Sequence, residues 1–291
     1  MTDYYRAGLN KLDLKEPPKG GPAILLYDLE TAPANAWDWS AYRSNVVDVQ
    51  QPPYVLCFAY KWLNKPGVGF VAINHNPEFE AGGCVLCSNN NDDRWVAERL
   101  GALFDRADIT IAHNGDKFDK RKANSMFLAH DLTPPSPYQT IDTLKESKRY
   151  FAEFKHNLDY VTRHHGLGGK EPNTGFELWY RCMVGDPKAW RDMEKYNRRD
   201  VMQLEKWYLK IRPWIGEPGK KHHPNLAFWG EDGILTCPKC LSTKVWKRGY
   251  HRTTVSEFQT VQCQNCGGYS RARARVSQRR PNPDSPRVGA L

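Results

Sequence analysis

The stretch AILLYDLET, residues 23–31, decides which fold this chain is expected to adopt. Its first five residues form a continuous apolar run after Pro22, which is the pattern of a strand buried on both faces of a sheet. Asp28 and Glu30 follow at alternate positions, so both carboxylates project from one face of the strand. Two like charges at this spacing are costly unless a cation neutralises them, although a solvated strand end explains the pair equally well.

Patterns after this strand indicate alternating strands and helices. Residues 54–63 and 68–73 have the composition of two strands, joined by a hairpin turn at 64–67. Apolar spacing then predicts a helix at 92–104, a short strand at 109–112, a helix ending near residue 129, and helices at 140–151, 157–165 and 188–211. Strands followed by alternating strands and helices predict an α/β sheet domain.

A second acidic element follows the strand at 109–112. The sequence HNGDKFD, residues 113–119, contains an Asn-Gly turn and places Asp119 in the first turn of the next helix. A carboxylate there is stabilised by the helix dipole, so a structural cap is the simpler explanation when the element is taken alone.

The third acidic element is YNRRD, residues 196–200, on the predicted helix 188–211. Tyr196 and Asp200 are four residues apart and therefore share one face of the helix. Aspartate is a poor choice inside a helix, although pairing with a neighbouring lysine or arginine also explains it.

Together the three elements resemble the DEDD superfamily of 3′–5′ exonucleases, which have an RNase H-like fold. That family has Asp-x-Glu on its first strand, Asn-x3-Phe-Asp after a later strand, and Tyr-x3-Asp or His-x4-Asp on a closing helix. This chain has DLE at 28–30, NGDKFD at 114–119 and YNRRD at 196–200, in the same order. Lys195 stands where the histidine subtype needs histidine, so the tyrosine subtype matches. The resemblance, closest to phage and bacterial members, covers about residues 23–212.

The resemblance implies a two-metal-ion mechanism. Two Mg²⁺ or Mn²⁺ ions, about 4 Å apart, would be held by Asp28, Glu30, Asp119 and Asp200. Tyr196 would orient the attacking water, and the products would be 5′-mononucleotides released from a 3′ end. Asn114 is expected to contact the nucleic acid.

Four cysteines near the C-terminus have the spacing of a structural zinc site. They form CxxC-x22-CxxC and are Cys237, Cys240, Cys263 and Cys266. One Zn²⁺ held by four thiolates would supply most of the folding energy of so short a segment. With strand-like stretches at 244–250 and 258–262, the segment resembles zinc ribbons of DNA-binding proteins such as transposases.

The net charge of +9 is confined to this C-terminal segment. From Cys237 onward there are 11 Lys and Arg against 2 acidic residues, whereas the preceding 236 residues carry 31 of each sign. A polyanion is the natural partner of such a segment, although the arginines could also serve only to keep the protein soluble. Nucleic-acid contacts are expected from Lys247, Arg248, Arg271, Arg273 and Arg275. Arg271, Arg273 and Arg275 occupy alternate positions, so their side chains should project on one side.

The other cysteines and histidines receive weaker interpretations. Cys84 and Cys87 form a lone CxxC near His75, and loop thiols explain them more simply than a second metal site. His164 and His165 are interpreted as helix surface, and His113 as a brace of the turn rather than a catalyst. Three CxxC pairs indicate a reducing compartment and metal binding rather than disulfides.

The predicted fold is therefore an α/β, RNase H-like mixed sheet flanked by helices, with a small C-terminal zinc ribbon. Five segments are expected: an N-terminal extension at 1–22, the exonuclease domain at 23–212, a linker at 213–233, the zinc ribbon at 234–276 and a disordered basic tail at 277–291.

The predicted function is a metal-dependent 3′–5′ exonuclease acting on DNA with a free 3′ end. The alternatives are an RNA 3′–5′ exonuclease, a structure-selective endonuclease, and a nucleic-acid-binding protein with an inactive nuclease fold. Without a polymerase domain, proofreading would require a replication or recombination partner. The sequence contains no run of eighteen apolar residues and no apolar core of a signal peptide. We therefore expect no membrane contact and a cytoplasmic location, in a bacterium or a phage-infected host.

Overall fold

The apolar strand that precedes the first two carboxylates lies in the middle of a mixed five-stranded sheet. In the computed structural model this strand, β1, spans Ile24–Thr31. The sheet has the order β5-β4-β1-β6-β7 and is completed by β4 (Val55–Trp62), β5 (Gly69–Ala72), β6 (Ile109–Ala112) and β7 (Gln139–Asp142). β4 pairs antiparallel with β1 and β5, whereas β6 is parallel to β1 and β7. This is an RNase H-like sheet, and the predicted fold class is confirmed.

The structure describes residues 14–39, 46–79, 92–169, 174–216, 223–252 and 256–277, with the backbone alone at 272–277. The chain divides into two compact units, residues 1–210 and 211–291. Within the described ranges, no helix has the length and apolar character needed to cross a membrane.

Helices flank the sheet of the first unit. They are α1 (Arg94–Asp105), α2 (Asp119–Ala129), α3 (Thr143–Tyr150), α4 (Leu158–His164), α5 (Phe176–Met183) and α6 (Pro187–Ile211). Apolar residues at three- and four-residue intervals bury one face of each long helix, as Val96, Leu100 and Leu103 do in α1. The core lies between these faces and the sheet, and it includes Leu25, Phe58 and Met193.

The helix predicted at 140–151 is wrong at its start. Thr140 and Ile141 instead pair with β6 as part of β7, and α3 begins at Thr143. The Asp142 carboxylate accepts hydrogen bonds from the N–H groups of Leu144 and Lys145, so Asp142 caps α3. The same residue is the last of β7, so the helix follows the strand directly.

In the described part of the first unit, two strands and one α-helix were also not predicted. A two-stranded sheet of β2 (Asn35–Asp38) and β3 (Val46–Gln51) follows β1, and helix α5 precedes α6. The strands are exposed along most of their length, so they lack the apolar alternation by which half-buried strands are recognised.

The described part of the expected N-terminal extension packs on β4. The N–H of Lys15 donates to the Tyr60 hydroxyl at 2.9 Å, and Trp62 Nε1 donates to the Lys15 carbonyl at 2.7 Å. Leu14 is buried beside them.

The second unit contains a three-stranded antiparallel sheet in the order β10-β9-β8. Its strands are β8 (Val245–Arg252), β9 (Glu257–Cys263) and β10 (Tyr269–Ser277). Part of the expected linker is folded in this unit: residues 226–229 form a 3-10 helix, and the N–H of Leu226 donates to the Pro238 carbonyl at 2.8 Å. The expected disordered tail lies outside the described residues, except for its first residue, Ser277, which ends β10.

Candidate active site and metal-binding cysteines

Three of the predicted carboxylates meet at the end of β1. Asp28 and Glu30 lie opposite Ala59 and Cys57 of β4, two residues apart and therefore on one side of the sheet. Asp200 reaches the same place from α6, and carboxylate oxygens of the three residues lie within 4.8 Å of one another. Residues separated by about 170 positions are thus brought together by the fold.

Helix α6 carries Tyr196 and Asp200 on its inward face. Asp200 is only 2% exposed and Tyr196 only 8%, so both side chains are buried. The Tyr196 ring meets Trp179 of α5 edge to face, with 5.7 Å between the ring centroids. This contact fixes the ring one helical turn before Asp200.

Asp119 is joined to β1 rather than to the cluster of three carboxylates. The pairing of β1 with β6 ends at Leu26 and Ile111, so the Leu29 N–H lies beyond the ladder. Asp119, the first residue of α2, accepts that N–H at 3.1 Å. Burial raises the pKa of Asp119 to about 6, although this hydrogen bond opposes the shift. Asp119 is thereby tied to the residue between Asp28 and Glu30.

The turn that positions Asp119 is fixed by Asp142, a residue that the sequence analysis did not select. Its carboxylate accepts the N–H groups of Asn114 at 2.9 Å and Asp116 at 3.3 Å. Asn114 has a φ of 72°, a left-handed conformation that asparagine tolerates better than most residues. A Cβ on Gly115 would lie 2.4 Å from the Ala112 Cβ, so only glycine fits there.

His113 also contributes to this turn. Its Nδ1 lies 2.9 Å from the Thr143 hydroxyl, and its Nε2 lies 2.8 Å from the His156 carbonyl. The ring therefore connects the end of β6 to α3 and to the segment before α4, which is the geometry of a brace.

Asn197 is a residue of the candidate site that the sequence analysis did not select. It is fully buried on α6, and its Nδ2 donates to Asp28 Oδ2 at 2.9 Å and to the Asp28 carbonyl at 3.2 Å. Two bonds to one residue hold both the backbone and the side chain of Asp28. Its position inside YNRRD was visible, but nothing in the sequence pairs it with β1.

The carboxylates fit a hard divalent cation. Three oxygen ligands converge, and one of them belongs to the buried Asp200, whose charge a bound cation would stabilise. Asp119 adds a fourth carboxylate within the same stretch of β1. Oxygen donors of this kind match Mg²⁺ and Mn²⁺ better than softer metals.

Among solved structures, the chain is similar to a polymerase. That structure is the family B DNA polymerase from the hyperthermophilic archaeon Pyrobaculum calidifontis, with a TM-score of 0.47 and 15% sequence identity. The match covers 69% of this chain and 26% of the polymerase, so the chain spans about a quarter of that protein. No protein-family model matches the sequence, and no curated protein is significantly similar to it. The chemistry of the site is therefore inferred from its own side chains.

The four C-terminal cysteines form one cluster. Their sulfur atoms lie within 4.8 Å of one another, with 3.8 Å between Cys237 and Cys266 and 3.6 Å between Cys240 and Cys263. Zinc–sulfur bonds of about 2.3 Å in a tetrahedron place the sulfurs about 3.8 Å apart. The cluster therefore has the dimensions of a closed structural zinc site.

The predicted nucleic-acid contacts of the second unit do not share one surface. Lys247, Arg248 and Arg271 are all exposed, but Lys247 lies opposite Val261, on the other side of β8 from Arg248. The side chains of Arg273 and Arg275 fall outside the described residues. Lys239 belongs to the basic excess, yet it is buried, and its Nζ donates to the Pro213 carbonyl at 2.6 Å. It therefore adds nothing to the charged surface.

Two other groups of potential ligands occur among the described residues. His164 and His165 converge with Glu153, which lies 2.8 Å from His165 Nε2, and His130 lies beside the Asp92–Asp93 pair. Cys84 and Cys87 are outside the described residues.

Proposed function

We propose that this protein is a metal-dependent 3′–5′ exonuclease that hydrolyses phosphodiester bonds of DNA. The observation that carries the proposal is the convergence of Asp28, Glu30 and the buried Asp200, with Asp119 bonded to the strand between the first two. The order and spacing of these residues resemble the DEDD motifs, and the direction of digestion is taken from that resemblance.

The side chains have separate tasks in this proposal. Asp28, Glu30, Asp119 and Asp200 would hold two Mg²⁺ or Mn²⁺ ions. When bound, the ions would activate water and neutralise charge on the phosphate. Tyr196 would accept or donate a hydrogen bond that orients the attacking water, and Asn197 would keep one Asp28 oxygen directed at its ligand. No covalent enzyme intermediate is required.

The second unit would supply affinity rather than chemistry. One Zn²⁺ on Cys237, Cys240, Cys263 and Cys266 would be structural, because four thiolates leave no open coordination position. The exposed Lys247, Arg248 and Arg271 would contact the nucleic acid. Asn114 would contact it at the active site, beside the turn that Asp142 holds.

The test is digestion of linear and closed circular DNA and of RNA, labelled at either end, with Mn²⁺ or Mg²⁺. A 3′–5′ exonuclease releases a 3′ label at once as a mononucleotide, shortens a 5′-labelled strand progressively, and spares the circle. Asp28→Ala and Asp200→Ala should each slow hydrolysis on the order of a thousandfold, about 4 kcal/mol. The control is Glu98→Ala, which removes a carboxylate from the surface of α1.

Different products would overturn different parts of the proposal. Cleavage of the circle would replace an exonuclease with an endonuclease, and digestion of RNA alone would change the substrate. Undiminished turnover in purified Asp28→Ala would exclude the two-metal site.

A further inference from the structure

One face of the three-stranded sheet in the second unit carries aromatic side chains in a row. Trp246 of β8 pairs with Gln262 of β9, and Gln262 pairs with Tyr269 of β10. Directly paired residues project from the same side of a sheet, so Trp246 and Tyr269 flank Gln262 on one face. The spacing of adjacent strands puts the two rings about 10 Å apart, which is room for a separate flat group on each.

The two faces of this sheet differ in burial. Trp246 and Tyr269 are each 52% exposed. On the other face, Val261 and the zinc-ligand candidate Cys263 are each 2% exposed, whereas Lys247 and Tyr250, farther from the cysteines, are exposed. The open face thus presents two large rings that the described part of the unit does not cover.

Arginines accompany the rings on the open face. The Arg248 guanidinium lies 5.0 Å from the centre of the Trp246 ring, and its Nε donates to Gln262 Oε1 at 3.0 Å. The Arg271 guanidinium lies 4.5 Å from the ring of Phe258. Glu257, the acidic residue of these three strands, is ion-paired with Arg252 at 2.6 Å. The face is therefore aromatic and cationic.

We propose that this face binds single-stranded nucleic acid by stacking bases on Trp246 and Tyr269, with Arg248 and Arg271 holding the phosphates. The inference rests on the proposed function, in which the second unit binds the substrate, and it specifies the form of that substrate. Every base has a flat π-face, so stacking requires no particular sequence. In a duplex, those faces are occupied by neighbouring bases, so rings on an open sheet select unpaired strands.

The test separates stacking from charge by comparing two strands of equal length. One is an oligothymidylate, and the other has the same phosphates with abasic sugars. Binding is measured by fluorescence anisotropy with the full-length chain carrying Asp28→Ala, so that no strand is cut and the result does not depend on nuclease activity. The variants are Trp246→Ala, Tyr269→Ala and Trp246→Phe.

The matched control is Tyr250→Ala. Tyr250 is also on β8 and 49% exposed, but it pairs with Gln259. Side chains alternate along β9, so Gln259 and Tyr250 lie on the opposite face from Phe258 and Thr260. Zinc content of every variant, measured by elemental analysis, shows whether the sheet is still assembled.

We expect Trp246→Ala and Tyr269→Ala each to weaken oligothymidylate binding at least about fivefold, the lower end of the loss of one stacked base. Binding to the abasic strand should be unchanged, Trp246→Phe should retain most of the affinity, and Tyr250→Ala should bind normally. Equal affinity of the parent chain for the thymidylate and abasic strands, or tighter binding of duplex, would overturn the proposal. Failure to bind any of these strands would instead remove the nucleic-acid role of the second unit.

Discussion

Replacement of Asn197 by leucine should weaken metal binding at the carboxylate cluster while the protein stays folded. Leucine has the same branching and the same number of side-chain heavy atoms as asparagine, and its apolar side chain suits a fully buried position on α6. It removes the amide that donates to Asp28 Oδ2 at 2.9 Å and to the Asp28 carbonyl at 3.2 Å. Asp28 would keep its charge but lose the group that fixes its direction.

The size of the effect follows from these two bonds. A hydrogen bond to a charged group contributes about 1.5–3 kcal/mol, which corresponds to roughly tenfold to somewhat over a hundredfold in an equilibrium constant. Residues that orient metal ligands by hydrogen bonds typically alter metal affinity about 10–100-fold, the same range. We therefore expect Mn²⁺ affinity and the rate at subsaturating Mn²⁺ to fall by that factor. The free energy of unfolding should fall by at most about 1.5–3 kcal/mol, the contribution of the lost hydrogen bonds. Removal of the buried Asn197 Oδ1, which has no hydrogen-bond partner among the described residues, should offset part of this loss.

The assay is calorimetric titration of Mn²⁺ into the wild-type and Asn197→Leu proteins, with scanning calorimetry of both. The matched control is Gln203→Met, which removes another fully buried amide from α6. The Gln203 Nε2 donates to the Gly169 carbonyl at 3.3 Å, and its Oε1 likewise has no hydrogen-bond partner in the described part of the chain. The two variants thus differ in whether the amide contacts Asp28.

Two results would refute the reasoning. Mn²⁺ affinity within twofold of wild type in Asn197→Leu would mean that Asp28 needs no such support. An equal loss in Gln203→Met would mean that any damage to α6 lowers the affinity, so Asn197 would have only a structural role.

Three further predictions concern other parts of the molecule. Tyr196→Phe should slow hydrolysis on the order of tenfold to a hundredfold and leave Mn²⁺ affinity nearly intact, because the proposed role of the phenol is to orient the attacking water. A large loss of Mn²⁺ affinity on titration would place Tyr196 among the metal ligands. Elemental analysis should find one zinc per chain, and none after Cys263→Ser with Cys266→Ser; two in the wild type would bring Cys84 and Cys87 into a second site. Replacing Lys247, Arg248 and Arg271 by glutamine should lessen the slope of log affinity against log salt by about 2 on single strands. Glutamines at the exposed Lys65, Lys148 and Lys188 are the control, and an equal change there would show that the charge of the whole chain, rather than contact, sets the slope.

The parts of the fold that the sequence predicted well are those with a strong local signal. The run AILLY before Asp28 became the central strand, and the spacing in α6 gave its bounds to within a residue. β7 was missed because four residues with two β-branched side chains precede a helix without a break, and pairing with β6 decides their conformation. The exposed strands β2 and β3 have no buried face, so their sequences lack the alternation of apolar and polar residues from which a strand is predicted.

The same distinction applies to the candidate site. The carboxylates stand out by residue type and order, whereas the residues that hold them are ordinary polar side chains whose partners are distant in sequence. Asn197 is 169 positions from Asp28, and Asp142 is 28 positions from Asn114. Only the folded chain shows that these pairs are in contact.

Two of the four carboxylates accept hydrogen bonds from neutral donors. Asp28 has the Asn197 amide, and Asp119 has the Leu29 N–H, so each charge is partly satisfied by a neutral donor that leaves other oxygen lone pairs available. A lysine or arginine in either place would neutralise the carboxylate more strongly and compete with a metal ion for it. Neutral donors at both positions, beside three converging carboxylates, therefore leave oxygen lone pairs available to a divalent cation.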